Sequence, residues 1–137
     1  MSWQSQLKET ARQLGLEGAD LVEKCTKREL AEICNGIGPF WFPKRLRDII
    51  SRFNPTLRIA ADLHDLMYYF ADGSDEQFSK ANKAFAANGT ILARHAYPWY
   101  DPRRYVVIFR AYRFAAICQK LGYLAYVNAI NDRLAKK

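Results

Sequence analysis

Apolar residues recur along this chain at helical spacing, and no stretch alternates in the way that a strand does. Glycine, proline and asparagine divide the pattern into segments. The predicted helices cover about residues 2–14, 18–24, 26–34, 44–52, 56–71, 74–88, 91–96, 103–121 and 123–134. Thr26 and Glu29 are spaced as a capping box, and Gly89 is expected to end the helix over 74–88. We therefore predict an all-α fold, a compact multi-helix domain.

The length and composition favour a single domain. The chain has 137 residues, 50% of them apolar, which is enough for one hydrophobic core and argues against disorder. No linker or repeat divides residues 1–137, and about 103–135 are expected to form a C-terminal helical hairpin. The start lacks the order of a secretory signal, and the apolar stretch 105–109 is far too short for a membrane span. A soluble, cytoplasmic protein is expected, with peripheral membrane attachment left open.

Charge and cysteine content limit the partners and the redox chemistry. Cys25, Cys34 and Cys118 are widely spaced and odd in number, which fits neither a disulfide framework nor a CxxC metal site. Reduced cysteines in the core are the simplest interpretation. A net charge of +7 indicates an anionic partner, either nucleic acid or a phospholipid surface. Since basic residues are spread along the chain, charge alone does not select between them.

The helix predicted over 56–71 carries the residues best suited to chemistry. Its buried stripe is expected to consist of Ile59, Leu63, Leu66, Met67 and Phe70. His64, Asp65 and Tyr68 lie on the other side, and Tyr68 is one turn beyond His64. This polar side is expected to face either solvent or a cleft.

The next helix is predicted to bury a polar side chain, Asn82. It lies four residues after Phe78 in an apolar stripe that continues to Phe85. A buried amide without hydrogen-bond partners costs about 1–3 kcal/mol. Two helices joined by a short turn pack antiparallel, so the imidazole of His64 is one candidate partner, and a nearby backbone group is the other.

Two glycines one residue apart, Gly36 and Gly38, follow Cys34 at the predicted end of a helix. Because neither has a Cβ, backbone carbonyls can converge there, as they do around calcium. The same pattern also marks an ordinary turn.

Together these motifs resemble the phospholipase A2 superfamily, most nearly its viral and bacterial-type members that lack the disulfides of the secreted enzymes. Residues 35–38, Asn-Gly-Ile-Gly, are similar to the calcium loop of that family. Residues 60–68 are similar to its helix with the motif His-Asp-x-x-Tyr, and residues 81–85 to its Ala-Asp-x-x-Phe segment. The resemblance covers about residues 34–85, within a predicted core over about 34–88.

The resemblance implies calcium-dependent hydrolysis of a phospholipid carboxylic ester at a membrane surface. It gives His64 the role of general base, Tyr68 a place in the hydrogen-bond network behind it, and Asp65 that of a calcium ligand. The backbone carbonyls that would complete the calcium site belong to Cys34, Gly36 and Gly38. The N–H of Gly36 would also help to stabilise the oxyanion.

Two departures from the family pattern bear on activity. The family has a carboxylate where this chain has Asn82, and an amide oxygen orients an imidazole without stabilising the imidazolium. A non-catalytic binding module on the same scaffold is therefore an alternative. In addition, 25 residues separate Gly38 from His64, more than is usual in the family. This longer loop need not return its carbonyls to Asp65.

The longer loop also has the composition of a membrane-docking segment. Its aromatic and basic residues are Phe40, Trp41, Phe42, Lys44, Arg45 and Arg47. Rings at headgroup depth beside cations favour an anionic lipid surface. Alternatively, the rings fill the core and the cations face water.

Other active-site chemistries lack their residues. A metal-dependent phosphohydrolase would need a second histidine upstream of His64, and the only other one, His95, lies downstream and is expected to be a capping or surface residue. Zinc-ligand spacing and G-x-S-x-G motifs are absent.

The segment 103–121 leaves a third function open, that of a basic helical domain that binds nucleic acid. Its apolar stripe, expected to pack in the core, consists of Tyr105, Phe109, Tyr112 and Ala116. The cations that would contact phosphates of nucleic acid or lipid, or else face solvent, are Arg103, Arg104, Arg110 and Arg113.

Overall fold

The computed structural model describes residues 2–34 and 55–136. In these two ranges the chain forms seven α-helices, one 3₁₀ turn and no strand, which confirms the predicted all-α fold. The helices are α1 (Trp3–Leu14), α2 (Ala19–Glu23), α3 (Lys27–Cys34), α4 (Arg58–Tyr69), α5 (Asp75–Ala96), α6 (Pro102–Leu121) and α7 (Tyr123–Ala135), with the 3₁₀ turn Pro55–Leu57 before α4. The basic helix predicted at 44–52 lies outside the described residues.

Polar side chains define where several helices begin. Four helices start after a residue whose side chain accepts a hydrogen bond from a first-turn amide: Ser2, Thr26, Ser74 and Asp101. The predicted capping box is present, because Thr26 Oγ1 accepts from the Glu29 N–H and Glu29 Oε1 accepts from the Thr26 N–H, both at 3.1 Å. These local bonds satisfy amides that a helix leaves unpaired at its start.

Helix α5 is one continuous helix of 22 residues, so the predicted break at Gly89 and the separate helix at 91–96 are wrong. Gly89 lies inside the helix, against α6. A Cβ at Gly89 would be 2.6 Å from the Cβ of Ala111 and 3.0 Å from Cδ2 of Leu57. The glycine therefore permits close helix packing, and the helix ends only at Tyr97, before Pro98, where the chain is restricted to an extended conformation.

Helix α5 lies at the centre of the described fold, between α4 and α6. It runs antiparallel to both. Phe78 meets Tyr68 of α4, whereas the later Phe85 meets the earlier His64. Phe85 also meets Phe114 of α6, whereas the later Gly89 meets the earlier Ala111. Helix α7 covers the start of α5 through the fully buried Tyr126, whose Oη donates to the Ser74 carbonyl at 2.8 Å. The range predicted as a C-terminal hairpin, about 103–135, is helical as α6 and α7, and α7 packs more on α4 than on α6.

Helix α6 buries a different face from the predicted one. Its buried residues are Val107, Ala111, Phe114, Ala115 and Cys118. The predicted core stripe points outward instead, because Tyr105, Phe109 and Tyr112 are 53%, 63% and 58% exposed, and Ala116 is exposed as well. Apolar residues occur on all sides of this helix, and the side with Ala111 and Ala115 allows the closest approach to α5.

Two buried polar side chains attach the N-terminal helices to α4 and α5. The indole Nε1 of Trp3 donates to Oδ2 of Asp62 at 2.8 Å. Asn88 bonds both ways with the backbone of Glu17: its Oδ1 accepts from the N–H at 2.8 Å, and its Nδ2 donates to the carbonyl at 2.9 Å. The turn between α1 and α2 is therefore held against the middle of α5.

All three cysteines are buried and free of disulfides, as predicted. Burial raises the pKa of the Cys118 thiol to about 12, so it stays protonated at neutral pH. In the ranges 2–34 and 55–136, no helix combines the length and apolar content that crossing a membrane requires.

Candidate functional site

His64 is buried between α4 and α5, with only 5% of its surface exposed. Of the two surroundings predicted for the polar side of this helix, solvent is therefore wrong for His64 and for Tyr68, which is also buried. Helix α4 packs against α2 and α3 as well as against α5 and α7, so more than one of its sides is covered. Asp65 is half-buried.

The predicted contact between His64 and Asn82 is present. His64 Nε2 lies 2.8 Å from Oδ1 of Asn82, whose side chain is buried. Tyr68 Oη donates to the same oxygen at 2.5 Å. Because an amide oxygen only accepts hydrogen bonds, the proton between the two side chains belongs to Nε2 of the imidazole. The lone pair of the neutral ring is then on Nδ1.

The Asn82 amide is also hydrogen-bonded on its other side. Its Nδ2 donates to Oε1 of Gln119 on α6 at 2.9 Å, and Gln119 Nε2 donates in turn to Oγ of Ser79 at 3.0 Å. In this relay the amide nitrogen faces Gln119 and the amide oxygen faces His64. Gln119 was missed from the sequence, since only the antiparallel packing of α5 and α6 brings it to Asn82.

Aromatic rings surround the imidazole. The ring of His64 lies 4.1 Å from that of Tyr68, 5.7 Å from that of Phe85 and 6.2 Å from that of Phe114, measured between centroids. Burial raises the pKa of Tyr68 far above its ordinary value, and the hydrogen bond to Asn82 opposes this only in part. Tyr68 is therefore a neutral donor to the network at physiological pH.

The predicted calcium site is described only in part. Gly36 and Gly38 lie outside the described residues, as do the predicted docking residues Phe40, Trp41, Phe42, Lys44, Arg45 and Arg47. Cys34 ends α3, and its Sγ lies 3.8 Å from the carbonyl oxygen of Asp62. The chain therefore leaves α3 beside α4, about one turn before Asp65. Among the described residues, no three His, Cys, Asp or Glu side chains gather as a metal site.

A separate cleft of about 460 Å³ lies between α2, the end of α4 and the start of α5. Gly18, Met67 and Lys80 are among its lining residues, and none of the candidate catalytic residues is. The other histidine, His95, is exposed in the last turn of α5, where a surface residue was predicted. The constellation around His64 is therefore the candidate site.

No protein-family model, curated protein or solved structure matches this chain. The resemblance to the phospholipase A2 superfamily stays a prediction, based on the motif residues.

Proposed function

We propose that this protein hydrolyses a carboxylic ester of a phospholipid, with His64 as the general base. One observation carries the proposal: Oδ1 of Asn82 accepts the Nε2 proton of the buried His64. This bond presents the lone pair of Nδ1 as the basic site of a neutral imidazole. A positioned histidine whose other nitrogen is held by a hydrogen bond is the usual arrangement of a general base.

The proposed reaction needs one water molecule. Nδ1 of His64 takes a proton from the water as its oxygen bonds to the ester carbonyl carbon, which gives a tetrahedral oxyanion. The imidazolium then returns the proton to the leaving alkoxide as the ester C–O bond breaks. The products are a fatty acid and a lysophospholipid. Asn82 and Tyr68 hold the ring in one orientation through both steps.

Calcium is part of the proposal as a cofactor. A carboxylate and several carbonyls are the oxygen donors that calcium prefers, and Asp65 would hold the ion together with the carbonyls of Cys34, Gly36 and Gly38. Bound there, the ion would polarise the ester carbonyl. The half-buried position of Asp65 beside His64, and the contact of Cys34 with α4, support this assignment. The Gly36 N–H is proposed as a further donor to the oxyanion.

The amide of Asn82 also supports a second candidate function, a binding module without turnover. An amide carries no charge, so it does not stabilise the imidazolium as a carboxylate would. In a catalytic triad, the change from Asp to Asn lowers kcat by roughly 10⁴, an effect attributed to the wrong imidazole tautomer. Here Gln119 turns the amide oxygen toward His64 and so preserves the tautomer. This arrangement favours the hydrolase over the binding module.

Fatty-acid release from anionic liposomes tests the proposal. We expect release in calcium, none in chelator, and none from His64→Ala. His95→Ala is the matched control, since His95 is the only other histidine and is exposed. No release from the wild type, with the folded protein still bound to the liposomes, would favour the binding module. Calcium affinity that is unchanged in Asp65→Ala would remove Asp65 from the calcium site.

The Asn82→Asp variant separates a working site from a degenerate one. We expect faster release, by roughly tenfold or more, because the carboxylate stabilises the imidazolium. The relay accommodates the change if Gln119 turns its amide, so that Nε2 donates to the new carboxylate and Oε1 accepts from Ser79.

A nucleic-acid-binding function instead predicts affinity for DNA that falls steeply with salt and is the same in His64→Ala.

A further inference from the structure

The outer side of α6 carries two adjacent rows of residues at helical spacing, one aromatic and one basic. The aromatic row contains Tyr105, Phe109 and Tyr112, which are all more than half exposed. The basic row beside it contains Arg110, Arg113 and Lys120, which are also exposed. We call these six residues the aromatic–basic face. Large exposed apolar groups gathered on one face mark an interaction site.

The turn before α6 extends the aromatic row. Trp99 is 73% exposed, and Tyr105 Oη donates to its carbonyl oxygen at 2.5 Å. This bond holds the Trp99–Tyr100 turn against the start of the helix. The exposed rings of this turn therefore lie next to the start of the aromatic row.

The charge of the face is positive and uncompensated. Residues 102–121 contain five cations and no carboxylate. Arg103 is engaged with Asp101 at 2.6 Å. By contrast, Arg110, Arg113 and Lys120 have no carboxylate partner within the described ranges of the chain. The face is therefore complementary to an anionic surface.

We propose that this aromatic–basic face docks on an anionic phospholipid bilayer. Aromatic rings settle at headgroup depth, and cations beside them meet the negative headgroups, so both rows engage one flat surface together. A second copy of the chain is disfavoured, because two such faces would bring like charges together. Nucleic acid uses the same residue types, so the choice of a bilayer follows from the phospholipid chemistry proposed for His64, and oligonucleotide binding is an outcome of the test.

This inference rests on the proposed function, because the proposed hydrolysis of a phospholipid is the reason for choosing a phospholipid bilayer as the partner. The surface is distinct from the candidate site, since α6 turns Phe114 toward His64 and the aromatic–basic face away from α5. Docking and hydrolysis can therefore be measured separately.

Flotation with vesicles of diether phosphatidylglycerol and phosphatidylcholine, in chelator, tests the proposal. Diether lipids have no carboxylic ester to cleave, so binding is independent of the proposed hydrolysis, and the chelator makes it independent of calcium. We expect binding to these vesicles and far less to diether phosphatidylcholine alone. Arg110→Gln/Arg113→Gln should weaken binding roughly tenfold to thirtyfold. Phe109→Ser should weaken it roughly tenfold.

Two matched variants control for charge and for apolar exposure. Lys24→Gln/Lys27→Gln removes the same charge from exposed positions near α2 and α3, and Leu134→Ser removes an exposed apolar side chain from α7. Both should bind within twofold of the wild type. Equal losses in these variants would overturn the proposal. An absence of vesicle binding would also overturn it. In that case, binding to a single-stranded oligonucleotide, or a dimer that Phe109→Ser dissociates, would identify the other occupant of the face.

Discussion

Gly89 of α5 and Ala111 of α6 meet where the two helices come closest, with no space for a second side chain between them. Asn82 lies two turns before Gly89, and Gln119 lies about two turns after Ala111 on the antiparallel helix. The close contact at Gly89 therefore lies on the same pair of helices across which Asn82 Nδ2 reaches Gln119 Oε1. Packing at one point of the helix pair supports the hydrogen bonds of the candidate site.

Gly89→Ala should destabilise the fold. Alanine raises helix propensity by about 1 kcal/mol over glycine. Its Cβ, however, would be 2.6 Å from that of Ala111, and overpacking costs typically 1–3 kcal/mol, so we expect a net loss in the free energy of unfolding. Urea denaturation measures the change. Adding Ala111→Gly removes the opposing Cβ and should recover most of the loss. A Gly89→Ala variant as stable as the wild type would contradict the close approach.

The same glycine shows a limit of single-sequence prediction. Gly89 follows a stretch of residues with helical spacing. A glycine in that position more often ends the helix than continues it in contact with a neighbouring helix. Only Ala111, 22 residues further on, makes the continuous helix favourable. The aromatic row of α6 was predicted to be buried for a related reason. An apolar stripe predicts a buried face, but in α6 another side of the helix, which also carries apolar residues, packs against α5.

The imidazole tautomer of His64 is directly measurable. The chain has two histidines, so two-bond ¹⁵N–¹H spectra of the wild type and of His95→Gln assign both rings. For the neutral ring of His64 we expect the Nε2–H tautomer, because Oδ1 of Asn82 accepts that proton. An Nδ1–H tautomer would mean that the amide is turned the other way and would remove the proposed base.

Gln119 should control that tautomer without contacting His64. In Gln119→Glu the carboxylate still accepts from Asn82 Nδ2, so the tautomer and the rate of ester hydrolysis should be retained. In Gln119→Lys the ammonium only donates, which favours turning the Asn82 oxygen toward it and the nitrogen toward His64. We expect a smaller Nε2–H fraction and slower hydrolysis in that variant. Identical ¹⁵N spectra for the two variants would show that Gln119 does not orient the amide.

The site itself was predictable only where its residues are close in sequence. Helical spacing and a short turn were enough to pair His64 with Asn82, 18 residues apart. Gln119 is 37 residues beyond Asn82 and reaches it only through the packing of α6. The burial of Tyr68 likewise depends on α7, whose Tyr126 packs against its ring.

Tyr68 should make the fold less stable at high pH. Burial raises its pKa in the folded state, so above about pH 10 the unfolded chain loses the phenol proton first and unfolding is favoured. Each pH unit above that point should remove up to about 1.4 kcal/mol through this group. Tyr68→Phe should flatten this decline in urea titrations between pH 9 and 11, whereas the exposed Tyr112→Phe should not. Parallel declines in Tyr68→Phe and the wild type would contradict the assignment.

Asn88 should anchor the N-terminal helices to the rest of the fold. Its side chain is buried, and both of its hydrogen bonds go to the backbone of Glu17, in the turn between α1 and α2. Asn88→Ala removes both bonds and leaves a small cavity, so we expect a loss of about 1–3 kcal/mol in the free energy of unfolding. Asn131→Ala, at an exposed position in α7, should change it by less than about 0.5 kcal/mol.

Limited proteolysis distinguishes a local anchor from a general loss of stability. If Asn88 holds the turn in place, cleavage near residues 15–18 should accelerate in Asn88→Ala more than cleavage elsewhere, because that segment then opens without global unfolding. In Gly89→Ala, which acts on the α5–α6 contact, the same sites should accelerate only in proportion to the global change. Equal cleavage patterns in the two variants would mean that the turn between α1 and α2 opens only when the whole domain unfolds.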